Sequence, residues 1–204
     1  MAKLITPEQE FENPNAFYTK EEVKRYDNNS GMKRSQINLT KIALSISDIN
    51  TNNKSVLILD IGCGTGFSLE YLKSLGFINL KGIDPSTEMI KIAKDKGFLV
   101  DNLSFEELYK IKTKFDFIIS ISALQWVIAN KKGLLLKNLI KKIGKELYNL
   151  LNPNGKAVIQ LYVESESIFV DISSSFRRCN FSVKEYIYNC NSLKKRKYFL
   201  ILSK

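Results

Sequence analysis

The stretch Ser55 to Gly66, SVLILDIGCGTG, decides the reading of this chain. After Ser55, residues 56–61 form an apolar run broken only by Asp60. Such a run, without polar alternation, suits a short strand buried on both faces, as in a parallel sheet. Gly62, Gly64 and Gly66 then stand at alternate positions. Glycine lets the backbone turn sharply there and lets a ligand approach it without a Cβ in the way. A helix through Leu69, Leu72 and Leu75 follows.

The strand–helix alternation continues outward from that loop. Residues 79–84 (NLKGID) read as a strand, and 86–97 as a helix with a Ser cap and a terminal Gly. Further strands are expected at 98–101, 115–122, 156–163, 183–189 and 197–203. Helices are expected at 105–111, 133–151 and 166–180, with a turn at Asn152–Gly155. This pattern predicts an α/β fold, a mostly parallel seven-stranded sheet with helices on both faces. The last two strands lie too close for a helical crossover, so they should pair antiparallel at one edge. Upstream, residues 1–15 read as a loose leader. Apolar residues from Phe17 to Leu44 recur at helical spacing, with Gly31 as the expected break. Residues 1–54 are therefore expected to form a helical cover over the site, and 55–204 the main domain.

Composition narrows the chemistry. The 204 residues are 44% hydrophobic and 25% charged, so the chain can bury a core of its own. It has no histidine, which removes His general bases, Ser-His-Asp triads and His-ligated metals. Cys63, Cys179 and Cys190 lie far apart with no C-x-x-C pair. A disulfide framework or a metal site is not expected, and the compartment reads as reducing and cytoplasmic. The N-terminus lacks the apolar core of a secretory signal, and no run approaches the ~20 apolar residues of a membrane span. The net charge is +10, and residues 131–204 hold 15 of the 31 basic residues against 5 of the 21 acids. That field attracts polyanions such as nucleic acid.

Asp84 ends the second strand, 24 residues after Asp60. In a doubly wound sheet this position faces the ribose hydroxyls of a bound nucleotide. The glycine spacing differs from the G-x-G-x-x-G of dinucleotide oxidoreductases. With Asp60 in front, it resembles motif I of class I S-adenosylmethionine-dependent methyltransferases, whose fold is Rossmann-like. The resemblance implies S-adenosylmethionine as cofactor. It places the backbone from Gly62 through Cys63 and Gly64 to Gly66 under the methionine and ribose. Asp60 would hold the loop or the amino group, and Asp84, followed by Pro85, the ribose. Asp101 and Asn102 would meet the adenine edge, Ser120 the methionine portion, and Tyr26 would cap the pocket.

The flanking segments are more specific. NPNAFYTKEEVKRYDNNSGMKRSQ (13–36), ISISALQWV (119–127), KAVIQLYVES (156–165) and NSLKKRKYFLIL (191–202) resemble the small-subunit ribosomal RNA guanine-N7 methyltransferases. Gly31, Val163 and the short segment after Asp101 depart from the family pattern. The sequence also stops after its last strand, where eukaryotic members carry a basic tail. An archaeal or reduced-genome type is therefore expected, cytoplasmic, or nuclear if eukaryotic.

The resemblance implies methyl transfer to N7 of a guanine in small-subunit rRNA, by positioning alone. Guanine N7 carries no proton, so the reaction asks for no general base and suits a chain without histidine. Trp126, beside Gln125, is the expected platform for the base, with Tyr18 and Tyr26 as alternatives. Lys131, Lys132, Lys137, Lys141, Lys142 and Lys145, with the run Lys194, Lys195 and Arg196, are expected phosphate contacts. The family works with a small zinc-binding activator protein, which would add a strand at Phe98, Leu99 and Val100. Two other functions share these motifs. One is a methyltransferase of a small molecule or carrier-bound acid, which has no need of the basic C-terminal third. The other is an inactive S-adenosylmethionine-binding ribosome-assembly factor, against which the intact Ser122–Trp126 run argues.

Overall fold

The computed structural model describes residues 5–11, 13–192 and 196–204. Four helices come first: α1 (Pro7–Glu10), α2 (Pro14–Phe17), α3 (Lys20–Asp27) and α4 (Ser30–Ile46). Then follow β1 (Leu57–Ile61), α5 (Phe67–Ser74), β2 (Asn79–Ile83), α6 (Thr87–Asp95), β3 (Leu99–Asp101) and a 3-10 turn at Phe105–Lys110. The remainder is β4 (Phe115–Ile121), α7 (Leu124–Ile128), α8 (Gly133–Leu150), β5 (Leu151–Leu161), α9 (Glu166–Arg177), β6 (Ser182–Tyr188) and β7 (Lys197–Ser203). Among the described residues no helix is long and apolar enough to cross a membrane.

The seven strands form one sheet in the order β3-β2-β1-β4-β5-β7-β6. β1 to β5 are parallel, and β7 runs antiparallel between β5 and β6. The chain order reverses between β1 and β4. In an open α/β sheet that switch point opens a crevice at the carboxyl ends of the strands.

Period-two alternation sorts the sheet residues onto two layers. Ile118, Ala157 and Ile159 face α8, α9 and the 3-10 turn through Ile140, Ile143, Ile172 and Leu108. Phe117, Ile119 and Val158 face the other way, onto Leu39, Ala43 and Leu44 of α4 and Leu72 of α5. The carboxyl half of α4 is thus a structural layer of the sheet. Thr40 and Ser68 tie it to α5 by a buried hydroxyl–hydroxyl bond of 2.9 Å.

Three local expectations change. The helix break falls at Asn28–Asn29, because the Asn29 carboxamide oxygen accepts from the backbone N–H groups of Gly31 and Met32. Gly31 therefore sits inside the first turn of α4. Asn152–Gly155 does hold a left-handed residue, Asn154, but the strand already begins at Leu151, which pairs with Phe115. The four residues bulge before Lys156 resumes pairing with Phe117. The leader holds two short helices, α1 and α2. Asn13 caps α2 by accepting from Ala16 N–H, and Pro14 takes the first helical position, where a missing N–H costs nothing.

Candidate active site

Strand β1 delivers Asp60 and the glycine loop to the switch point. The loop folds on itself: Gly62 and Cys63 donate to the Ile83 carbonyl, and Gly66 to that of Cys63. Gly62, Gly64 and Gly66 all have positive φ, where an L side chain is strained. A Cβ on Gly62 would lie 2.1 Å from that of Ala123, so the β4–α7 loop packs directly on glycine. Ser122 in that loop also has φ +55, and its hydroxyl donates to Gln160 Oε1 at 2.8 Å.

Two carboxylates are buried here. Asp84 accepts from Gly64 N–H at 2.9 Å with one oxygen and from Ser86 N–H at 2.8 Å with the other. Burial raises it to about 6, against the pull of those two N–H groups. Asp60 is 1% exposed, and its Oδ2 has no hydrogen-bond partner. Burial, and then the charge of Asp84, raise it to about 8. Buried carboxylates short of partners are a setting that favours a bound cation.

A cavity of about 670 Å³ opens in front of them. Its floor includes Gly62, Cys63, Gly64, Asp84, Pro85 and Ile121, and the N-terminal helices supply Phe17, Tyr18, Tyr26 and Gln36. Aromatic rings form a chain along one wall. Trp126 lies 5.4 Å from Tyr18 and 5.7 Å from Phe17, and Tyr18 meets Tyr26 edge-on at 6.2 Å. Burial, with the negative charge of Asp84 adding to it, pushes both phenols well above the usual tyrosine range, so they stay neutral hydrogen-bonding groups. The Cys63 thiol is likewise pushed up by burial and kept unreactive.

The N-terminal segment is fastened across the crevice. The Asn15 carboxamide donates to the Pro85 carbonyl at 3.0 Å and accepts from Thr87 N–H at 3.2 Å. On the far side Asn130 donates to the Gln9 carbonyl at 3.0 Å.

Of the residues expected from sequence, the structure gathers Gly62, Cys63, Gly64, Asp84, Pro85, Tyr18, Tyr26, Gln125 and Trp126 around one cavity. Asp60 lies beneath it, and Gly66 caps α5 behind it. Ser120 is fully buried with its hydroxyl unpartnered, one residue short of the cavity-lining Ile121. Asp101 stays outside. It pairs with Lys81 Nζ at 2.8 Å on the adjacent strand, and the wall beyond β3 is made by Leu103, Ser104 and Phe105 instead. Asn102 acts from behind, donating to the Asp84 carbonyl at 2.9 Å.

Arg196 is not a free basic group. It pairs with Glu166 and donates to the Cys190 carbonyl. Lys137 is held by Asp171 at 3.0 Å. Lys194 and Lys195 lie outside the described residues. Phe98, Leu99 and Val100 lie at an open edge of the sheet, since β3 has β2 alone as neighbour among the described residues. Sequence reading passed over Asn15, Phe17, Phe67, Leu103 and Phe105. Two signals could have found all of these but Phe67: the Asn13-Pro14 helix start and the Ser104–Glu107 capping box.

The pattern of a methyltransferase domain family matches residues 59–159. The 18S rRNA (guanine-N(7))-methyltransferase of Bos taurus is 35% identical over 93% of this chain and 68% of its own length. A probable 18S rRNA (guanine-N(7))-methyltransferase of Dictyostelium discoideum is 32% identical, over 93% and 67%. Phosphoethanolamine N-methyltransferase 2 of Haemonchus contortus, solved with S-adenosyl-L-methionine, superposes with a TM-score of 0.69 at 15% identity, covering 100% of this chain and 61% of that one. It shares the fold. On this likeness over 93% of its length, the chain belongs to the 18S rRNA (guanine-N(7))-methyltransferase family.

Proposed function

We propose that this chain transfers a methyl group from S-adenosylmethionine to N7 of a guanine in small-subunit rRNA. The observation that carries the reading is a single cavity that joins a floor of Asp84 and the glycine loop to the aromatic wall of Trp126, Tyr18 and Phe17.

The residues fit the cofactor. Asp60 Oδ2 is a buried acceptor without a donor, which the methionine ammonium group would satisfy. Each Asp84 oxygen accepts one backbone N–H and keeps a lone pair for a ribose hydroxyl. The glycine loop leaves room where side chains would stand. Leu103 and Phe105 line the wall beyond β3 and would meet the adenine, where the resemblance gave Asp101. When bound, the cofactor supplies an electrophilic methyl group on a sulfonium.

The chain's own contribution is placement. N7 carries no proton, so no side chain has to accept one. Well-aligned reactants can gain ~7–11 kcal/mol over free encounter. Trp126, Phe17 and Tyr18 would hold the guanine flat, and their π faces favour the positive charge that N7 acquires. To reach the cavity the base must leave its stack, as single-stranded or looped RNA permits. Lys141, Lys142 and Lys145, on the exposed side of α8, would hold phosphates.

A small zinc-binding activator protein at β3 is the second element of the reading. Leu99 is 67% exposed and Ile78 72% exposed, and both line a groove, with Phe98 and Phe77, that reaches from β3 across the amino ends of β2, β1 and β4. An apolar edge strand favours strand addition by a partner.

The deciding experiment is mass-spectrometric nucleoside mapping of unmethylated small-subunit rRNA incubated with labelled S-adenosylmethionine and this protein, with and without the activator. One new 7-methylguanosine is the expected result. No RNA methylation despite calorimetric cofactor binding would sink the assignment.

A further inference from the structure

A second cavity of about 200 Å³ adjoins the main one and shares Glu8, Gln125, Lys131 and Tyr162 with it. Its own walls come from the α7–α8 turn, with Asn130 and Lys132, and from Val163 and Glu164 after β5. We propose that it is a subsite for the nucleotide next to the target guanine, with that base against Tyr162 and its phosphate held by Lys131 and Lys132. This rests on the reading of the chain as an rRNA guanine methyltransferase.

Continuity comes first. A strand that delivers one base into the main cavity must lay its neighbour in the space that adjoins it. The joining wall has the chemistry for a nucleotide. Tyr162 is 36% exposed at the end of a central strand, and Lys197 Nζ sits 4.4 Å from its ring centre and donates to its hydroxyl at 3.1 Å. An aromatic ring held in place beside a cation is a stacking platform that accepts any base. The ion pairs described at this end, Lys137 with Asp171 and Arg196 with Glu166, leave Lys131 and Lys132 out.

Gln125 adds an independent sign. It is 8% exposed, lines both cavities, and its Oε1 has no hydrogen-bond partner among the described residues. A buried acceptor of that kind asks for a donor, which the N–H groups of a base edge supply. The acids set the orientation. Glu8 and Glu164 stand on the walls made by α1 and the β5 end, and Gln9 donates to Glu164. Glu8 would repel a phosphate and accept from an exocyclic amino group. The phosphate therefore belongs at the α7–α8 turn, where the lysines are.

The test uses the intact protein and RNA oligonucleotides that span the guanine methylated by the wild type. One set carries an abasic site on either side of that guanine. In the wild type, an abasic site on one side is expected to raise the RNA KM by about 5- to 150-fold, the equivalent of one lost stacking contact. In Tyr162→Ala the same replacement should cost almost nothing more, while Tyr162→Phe keeps the wild-type response. Lys131→Glu with Lys132→Glu should flatten the salt dependence of RNA binding by a slope of about 2. Equal abasic costs in wild type and Tyr162→Ala would overturn the subsite while leaving the methyltransferase reading intact. Should Tyr162→Ala fail to fold, an unchanged salt slope in the lysine pair overturns it. A wild type that forms no 7-methylguanosine overturns both.

Discussion

The Tyr26 ring stacks on that of Phe67, with centroids 5.4 Å apart and planes 20° apart. Tyr26 belongs to α3, Phe67 opens α5, and both line the main cavity. Lys96 Nζ lies 5.0 Å from the Phe67 ring centre and bridges Asp27 of α3 at 2.6 Å and Glu70 of α5 at 2.9 Å. Lys33 of α4 also pairs with Glu70, and these lysines hold that carboxyl below the usual range against its partial burial. One small cluster thus sets where the N-terminal helices sit over the crevice.

Lys96→Met should loosen α3 without unfolding the sheet. It leaves Asp27 without this cation and Glu70 with Lys33 alone, in partly exposed surroundings that moderate the cost. The expected loss is about 1–2 kcal/mol of stability, with weaker cofactor binding because Tyr26 is no longer pinned. Hydrogen exchange should quicken over residues 20–30 and stay slow in β4. Unchanged exchange over 20–30 would show that packing alone seats the cover.

Asp60 and Asp84 make cofactor binding depend on pH. Both folded values, about 8 and about 6, lie above the ordinary carboxylate range. Between the ordinary values, about 4, and the raised ones, the folded apo protein holds more protons than the unfolded chain. Its stability therefore falls as pH climbs from about 4 to about 8, then levels. A cationic cofactor needs the ionised floor, so its affinity should rise over the same window, by at most about tenfold per pH unit for each proton released. Calorimetry at pH 6 and pH 8, in buffers of different ionisation enthalpy, reads the proton release directly. Asp60→Asn should remove most of the slope, and a flat profile in the wild type would contradict the picture.

The strand–loop–helix core was legible because its signals are local. An apolar run, alternating glycines and a strand-end acid reside within single segments, and Asp60, Gly62, Gly64 and Asp84 came out together. The aromatic wall was legible through Trp126, Tyr18 and Tyr26. Asp101 does not line the cavity but pairs with Lys81, a partner set by the β2–β3 register, which sequence spacing does not carry. Arg196 reads as a member of a basic run, yet Glu166, thirty residues away, claims it. The leader looked loose because two helices of four residues show no periodicity, although their caps were written in Thr6-Pro7 and Asn13-Pro14.

Gly62→Ala combines two penalties at one position. The backbone is left-handed at φ +77, and the added Cβ meets that of Ala123. Left-handed strain costs an L residue about 1–2 kcal/mol, and overpacking a rigid loop about 1–3 more. Gly97→Ala is the matched control, since its φ is +80 but nothing lies within 4 Å of the new Cβ. Urea denaturation should find Gly97→Ala lower by the strain alone and Gly62→Ala lower by about 2–5 kcal/mol, with cofactor binding lost only in the latter. Equal losses in the two variants would mean that the β4–α7 loop yields.

The edge at β3 gives a prediction about solubility. Leu99 on β3 and Ile78 just before β2 stand exposed beside Phe98, and the outer backbone groups of β3 face no other strand among the described residues. An open apolar edge is a template for pairing with another chain, and a lysine placed on it blocks that pairing. The isolated protein should therefore aggregate at concentrations where a mixture with the proposed activator remains monodisperse. Leu99→Lys with Ile78→Lys should raise the solubility of the lone chain and abolish co-purification of the activator. Cofactor binding should survive, because neither residue lines the main cavity. Light scattering and pull-down measure the two effects on the same preparations. A double variant that still captures the activator would move the docking surface elsewhere, and β6, at the opposite edge of the sheet, would be the next place to look.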